Sequence, residues 1–384
     1  MFSSSDVWQR FRQKMPVARH LAYLDHAAVA PLSAPAGEAL GRWAEQAVHQ
    51  GDLCWPQWER RAQQVREVAA RMLGAETDEI AFVANTSTGI GLIAEGFPWQ
   101  DGDNLVTLAN EFPSNQFPWM NLASRGVQTR RLPVATGRVE PEQILDACDQ
   151  RTRLISVSWV GYASGWRLDV ASLVSAAHER GIRVFLDAIQ GLGVFPLDVR
   201  RCGVDFLAAD GHKWMLGPEG AGLLFIRREL LDCLRPLNVG WNSVRNGHDF
   251  SRCEFDLRPT AARYEGGSAN MAGIAAWGAS LDLLVSCGLT PTDSPLAARI
   301  LDWNERAVER LKQLGAVIRS PWQEGNRSGI LSFELPGQDS AAVRRHCLHR
   351  GVVLSVRHGW LRISPHAYND QDDLERLIDA LRSA

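Results

Sequence analysis

A lysine set between two apolar strands is the residue of this sequence with the most unusual chemical prospects. Lys213 lies in DFLAADGHKWMLGPEGAGLLFIR, residues 205–227. Residues 205–209 and 221–227 have the short, continuous apolar pattern of buried strands. The stretch between them is rich in glycine and polar residues and reads as a turn. Apolar strands on both sides draw that turn toward the core, where an ammonium is costly unless paired or neutralised. Two readings are open. Lys213 is a surface lysine on a hairpin tip, or it is a desolvated lysine of lowered pKa that can form a Schiff base with an aldehyde.

A second strand bears on the choice. Residues 183–190 read RVFLDAIQ, an apolar run ending in Asp187, with Gln190 just beyond it. An acid at the carboxyl end of an α/β strand faces the crevice where ligands bind; the same acid could serve as a helix N-cap or an ion-pair partner. An Asp and a Lys from neighbouring strand ends are the pair that pyridoxal 5'-phosphate needs. The lysine holds its aldehyde, and the carboxylate keeps the pyridine nitrogen protonated so that the ring accepts electrons.

Other candidates sit where strands end. Residues 79–84 read as a strand that runs into Asn85-Thr86-Ser87-Thr88-Gly89 at the start of a helix. Hydroxyls and free N–H groups there make an anion site, or an ordinary cap. Residues 103–109 lead to Phe112, which reads as core filling, and residues 153–160 lead to Tyr162. Arg362 lies in WLRISPHAYND, on a strand where a lone arginine is usually a surface residue.

The elements that must hold these residues alternate. Residues 34–50 and 56–73 have helical periodicity, 170–180 is an amphipathic helix closed by Gly181, and helices are expected over 271–287 and 294–314. Strands between them predict an α/β fold, a mostly parallel sheet with helices on both faces. Residues 234–256 are irregular, and 315–384 read as strand, helix, strand, strand, helix, a small α+β unit. The expected division is a helical segment over 1–20, a large cofactor-binding domain over 21–290, and a small domain over 291–384 that packs with the N-terminal segment.

With 384 residues, a net charge of −3 and 45% apolar content, the chain is an ordinary globular protein with no electrostatic case for nucleic acid or a membrane surface. Its seven cysteines are odd in number and form no CxxC, which suits reduced thiols in the cytoplasm and gives no metal site. The first residues lack the apolar run of a signal peptide, and no stretch reaches transmembrane length.

The stretches DAIQ and DGHKW, with YLDHAAVAP near the start and RYEGGSAN later, resemble the class V aminotransferase family of fold-type I pyridoxal phosphate enzymes. That family includes cysteine desulfurases, kynureninases and isopenicillin N epimerase-like proteins. The likeness runs from about Leu21 to about Leu381, with the motifs in the family's order. It implies an obligate homodimer with shared active sites. It also implies that Lys213 carries the cofactor and then acts as base and acid at the substrate α-carbon, and that Asp187 pairs the pyridine nitrogen. Gln190, with Tyr162 as a second candidate, would meet the phenolic oxygen. Phe112 would stack on the ring. Thr86, Ser87 and His212 would hold the phosphate, joined by Ser268 of the neighbouring subunit. His26 and Ala27 would face the substrate, and Arg362 would clamp its α-carboxylate. Asp210 is counted with the cofactor residues, although the family often has a hydroxyl there. An anionic Asp is a poor partner for a phosphate, so it is expected to orient His212 or to meet a backbone N–H.

The expected reaction is transamination, followed by lyase chemistry of the C–S or kynureninase type, or epimerisation, with His26 and His358 as candidate proton donors. A persulfide-forming desulfurase is not expected. Residues 352–362 read VVLSVRHGWLR without a cysteine, and Cys347 falls in a helix expected over 338–350. A non-catalytic pyridoxal phosphate-binding protein on the same fold is the alternative of another class. A nicotinamide enzyme is disfavoured by the missing glycine fingerprint.

Overall fold

The computed structural model describes residues 4–135 and 137–384. Its central element is a seven-stranded sheet. In chain order the strands are β1 (Ile80–Val83), β2 (Asn104–Leu108), β3 (Gln128–Leu132), β4 (Thr152–Ser158), β5 (Arg183–Asp187), β6 (Phe206–Asp210) and β7 (Gly222–Ile226). Their order across the sheet is β1-β7-β6-β5-β4-β2-β3. All neighbours run parallel except β7, which is antiparallel to both β1 and β6. The inner strands are continuous apolar runs because helices cover both faces, as parallel sheets require. One face packs against α3 (Trp55–Leu73), α5 (Val170–Glu179) and α6 (Met271–Ser286), with α2 (Ala34–His49) lying on α6 as an outer layer; the other packs against α4 (Thr86–Gly96). The approach of α4 is close: a Cβ at Gly89 would stand 2.7 Å from the Ala208 Cβ on β6.

Register brings the chemistry to one edge. Ser158 on β4 pairs with Asp187 on β5, and Asp187 pairs with Ala208 on β6. The carboxyl ends of three strands therefore converge, which is where ligands meet open α/β sheets. Strand β3 was not expected. Its sequence, QTRRL, lies on the sheet edge and is half exposed, so it lacks an apolar signature.

After α7 (Pro295–Gln313) a second sheet forms from β8 (Val317–Ile318), β9 (Leu331–Glu334), β10 (Ser355–Arg357) and β11 (Trp360–Ile363), in the order β10-β11-β9-β8 and antiparallel throughout. Helices α8 (Ser340–His349) and α9 (Gln371–Arg382) cover it. Strands β10 and β11 are joined by His358 and Gly359 alone, both at positive φ, 53° and 82°. That is the geometry of a two-residue hairpin turn, and His358 adopts it without a glycine's freedom.

The N-terminal segment is sewn onto this second sheet. Helix α1 (Ser4–Gln13) sends Arg12 to Asp370 and Asp373 at 2.9 and 2.7 Å. Ala22 and Tyr23 pair in parallel with Val352 and Val353, and Asp25 bridges to Ser364. Residues 24–30 are thereby carried to the seam between the two sheets.

Candidate active site

The turn that holds Lys213 is clamped by its neighbours. Gly211 and Gly217 lie against Trp277 of α6, whose Cδ1 would be 2.7 Å from a Cβ at either position. Ser280, one turn further along α6, donates to the Leu216 carbonyl at 2.7 Å. Leu216 is fully buried and sits at φ 55°, a strained conformation for a leucine that persists only when its surroundings enforce it. On the other side, the Ala30 N–H donates to the His212 carbonyl at 2.7 Å. The Trp214 indole donates to Gln190 Oε1 at 2.9 Å, and its carbonyl accepts from His366 at 3.1 Å. Lys213 is thus fixed on a turn that has left the surface.

Lys213 opens into a cavity of about 290 Å³ together with Asp187, Gln190, Thr86, Ser87, Phe112, Tyr162, Asp210, His212, Ala27 and Arg362. Two clefts elsewhere are larger, about 350 Å³ around Trp241 and Phe250 and about 490 Å³ around Trp43 and Trp58, but neither holds a lysine. The choice of site rests on chemistry, not volume. The chain has three lysines, and Lys14 and Lys312 are exposed on helix ends remote from this cavity in the sequence.

Burial sets the charges here. It pushes the Lys213 amine down to about 8, with Asp187 pulling in the opposite direction. It pushes the Asp187 carboxyl up to about 6, against the Ile189 N–H that donates to it at 3.1 Å and the charge of Lys213. An amine and an acid of opposite preference in one enclosed site are the hallmark of tuned proton chemistry. The Lys213 ammonium also lies 5.7 Å from the centre of the Phe112 ring, which meets Tyr162 edge to face at 5.3 Å.

At the start of α4, Asn85 caps the Thr88 N–H at 2.8 Å, and the Thr86 hydroxyl accepts from the Asp210 N–H at 3.0 Å. Ser87 donates to Ser114 at 2.7 Å. Asp210 takes both expected roles: its carboxylate accepts the Gly211 N–H at 2.7 Å and holds His212 Nδ1 at 2.7 Å. That leaves Nε2 as the imidazole atom available to a ligand.

Arg362 is fully buried on β11 and heavily bonded. Nε donates to Ser355 at 3.1 Å, one Nη to the Tyr162 carbonyl at 2.6 Å, and the other to Asp25 at 3.1 Å. Desolvation lowers its guanidinium to about 10 despite the Asp25 charge.

Some expected residues stand elsewhere. His26 does not reach the cavity. The bridge between Asp25 and Ser364 turns its ring inward, where Nδ1 donates to the Ser364 carbonyl and Nε2 accepts from Tyr368, each at 2.9 Å. It is fully buried, and burial holds it well below the usual histidine range. Within one chain Ser268 lies in a separate cleft with Gly220 and Asn270. Gln190 lines the cavity, yet its amide already donates to the Ala27 carbonyl at 3.0 Å and accepts from Trp214. The Tyr162 hydroxyl meets His358 Nε2 at 2.7 Å.

Two residues escaped the sequence reading. Glu111 is buried beyond β2, accepting the Ser158 N–H at 2.7 Å and the Ser158 hydroxyl, and burial pushes it up to about 7. It carries the same signal as Asp187, an acid just past an α/β strand. Asp25, the counter-ion of Arg362, stands in a segment that looks like a plain connector.

Residues 22–377 match the family described as Aminotransferase class-V. A protein of Methanothermobacter thermautotrophicus named probable cysteine desulfurase is 31% identical, with 96% of each chain covered. An uncharacterized aminotransferase of Bacillus subtilis, YcbU, is 25% identical, with 97% of each covered. Among solved structures, the cystine C–S lyase C-DES, in complex with its reaction product cysteine persulfide, superposes with a TM-score of 0.89 at 22% identity, over 96% of this chain and 99% of that one.

Proposed function

The chain belongs to the aminotransferase class-V family, and from that premise we propose an enzyme acting at the α-carbon of an amino acid, with Lys213 as its working amine. The cofactor is pyridoxal 5'-phosphate, the group named in the structure of C-DES. The donor set fits it: one amine lowered by burial, one buried acid, an aromatic ring, and hydroxyls at a helix start share a single cavity. When bound, the cofactor supplies an electron-accepting ring that acidifies the α-proton of an attached amino acid. The observation that carries this reading is that Lys213 and Asp187 share that one cavity, each feeling the other's charge.

Each residue then has one task. Lys213 holds the cofactor aldehyde and, once displaced, takes and returns the proton at the substrate α-carbon, work for which an amine near pH 8 is suited. Asp187 holds a proton on the pyridine nitrogen. Phe112 covers the ring and excludes water. Thr86, Ser87, the α4 N-terminus and His212 take the phosphate, with Asp210 as the positioning acid for His212. Gln190 keeps one N–H for the phenolic oxygen, and Ala27 shapes the substrate space. Arg362 offers its remaining N–H groups to the α-carboxylate.

Elimination at the β-carbon, of the C–S lyase type, is the reaction we favour. The Tyr162–His358 pair supports it, because a departing β-substituent needs a proton and Tyr162 lines the cavity. The Cα–H bond breaks with its proton going to Lys213. The bond from Cβ to the substituent breaks with its electrons leaving on the substituent, which takes the tyrosine proton. Water completes release of a 2-oxo acid and ammonium. Transamination is the second reading, favoured by the name of the Bacillus relative. Neither reading involves a persulfide-carrying cysteine. The two-residue turn between β10 and β11 gives no mobile loop for one, and Cys347 is fully buried in α8 with its thiol pushed up to about 11.

The same proposal includes a homodimer in which Ser268, exposed on its own chain, completes the neighbour's phosphate site. It includes a large unit over 21–290, a small one over 291–384 packed with the described N-terminal segment, residues 4–20, and a cytoplasmic setting. Among the described residues no helix is long and apolar enough to cross a membrane. The test is a visible spectrum of purified protein titrated with an amino-acid panel, with products read by mass spectrometry. A 2-oxo acid with ammonium and no acceptor supports elimination; a product formed only with an added 2-oxo acid supports transamination; spectral binding without turnover would leave a non-catalytic binder.

A further inference from the structure

We propose that Arg357 reads a second acidic group, so that the site takes amino acids whose side chain carries a carboxylate, sulfinate or similar anion. This rests on the amino-acid reading above and names its substrate class.

The β10–β11 register pairs Ser355 with Arg362 and Arg357 with Trp360. Directly opposed residues share a face of an antiparallel pair, and so do residues two apart along a strand. Arg357 and Arg362 are therefore diagonal neighbours on one face, and both line the cavity that holds Lys213. Backbones at that diagonal are roughly 7–8 Å apart, so a substrate with two acidic groups a few bonds apart can meet both heads.

The two arginines differ in their partners. Arg362 is bonded to Asp25, Ser355 and the Tyr162 carbonyl. Arg357 is half-buried, and the hydrogen bond it makes is to the carbonyl of Val356 at 2.8 Å, with no carboxylate partner among the described residues. Its charge lowers the proton affinity of Lys213, Arg362 and Tyr162. The acids on the cavity wall are Asp187, beside Lys213, and Asp210, which is held by His212 and the Gly211 N–H. Arg362 has Asp25 as its counter-ion, Lys213 has the charge of Asp187 and His212 has Asp210, so Arg357 is the wall cation left for an incoming anion to pair. The α-carboxylate is served by Arg362 and the cofactor phosphate by the α4 end, so the remaining anion is on the substrate side chain. A planar guanidinium recognises such a group through two parallel hydrogen bonds.

The test uses the holoenzyme with an amino-acid panel and, separately, two probes without an amine, succinate and propionate, in calorimetric titrations. For an acidic amino acid, Arg357→Gln should lower kcat/KM roughly 10- to 100-fold, chiefly through KM, as expected for lost charge-assisted hydrogen bonds. Neutral amino acids should change by no more than about threefold, and Arg357→Lys should fall between. Succinate should bind the wild type more tightly than propionate does, and Arg357→Gln should erase the difference. Equal losses for acidic and neutral substrates, loss of visible cofactor absorbance in the variant, or equal binding of the two probes by the wild type would each overturn the proposal. Failure of every amino acid to alter the spectrum would sink the amino-acid reading instead, and the succinate titration would still judge Arg357.

Discussion

The cavity has two walls built on different principles. One is the carboxyl edge of the central sheet, where Asp187, Asp210 and the Lys213 turn are buried and each is tied to backbone or to Trp277, Trp214 and Ser280. The other is the β10–β11 hairpin with Tyr162 against it. There Arg357 and His358 are half-buried or exposed, and their hydrogen bonds reach only a carbonyl and a hydroxyl. Arg362 joins the two, buried like the first wall but carried by the second. The contrast teaches that the first wall fixes proton chemistry through desolvation, whereas the second presents charge and hydrogen bonds that can be exchanged without dismantling the core. Reaction and substrate can diverge separately on such a plan.

Breaking the first wall should have the largest effect. Asp187→Asn keeps the shape but removes the charge that holds the pyridine proton, and turnover should fall by roughly 10²- to 10³-fold with every substrate, the scale of losing one preorganised electrostatic partner. Near-normal turnover would assign that task to another group. Tyr162→Phe tests the second wall. It should slow release of a β-substituent by roughly 10²-fold, the scale of one general acid, while proton exchange at the α-carbon, followed by deuterium uptake, continues. Equal loss of both would move Tyr162 to the first wall's chemistry.

The smallest effect is on stability. Glu111 has an ordinary value of 4.5 that burial raises to about 7 in the folded chain. Between those values the folded state binds more protons than the unfolded one, so stability falls as pH rises through that window. At roughly 1.4 kcal/mol per pH unit the loss is about 3 kcal/mol by pH 7, levelling off above it. Glu111→Gln should remove this slope, so that its advantage in Tm over the wild type widens from pH 4.5 to 7. Parallel melting curves across that range would show that Glu111 is ionised throughout.

The first wall was legible in the sequence because its residues break a pattern. A lysine between apolar strands and an acid at the end of one are conspicuous, and the register brought them to one cavity. Glu111 obeys the same rule but was hidden by its neighbour Phe112, which drew the attention of the resemblance. His26 was misdirected because a motif gives a position along the chain and not a side-chain direction; the Asp25–Ser364 bridge decided that. The second wall was hard to read because its arginine and histidine are of the type found on any surface, and only the strand register puts Arg357 beside Arg362. Strand β3 was missed for a related reason, since an edge strand of mixed polarity has no period to detect. The helical segment expected over 1–20 is shorter, an α-helix over Ser4–Gln13 followed by a 3-10 turn over Pro16–Arg19, with residues 1–3 outside the described residues; most other bounds moved by a residue or two, as helix and strand ends do.

The central claim is that Lys213 is the amine on which the chemistry turns. Reduction of the cofactor-loaded protein with borohydride, followed by peptide mass mapping, reads this directly, because the chain offers only Lys14, Lys213 and Lys312 as candidates. The account predicts a reduced cofactor adduct on the peptide that contains Lys213, and none in Lys213→Ala. An adduct on Lys14 or Lys312, or a Lys213→Ala protein that keeps both the adduct and its turnover, would contradict it.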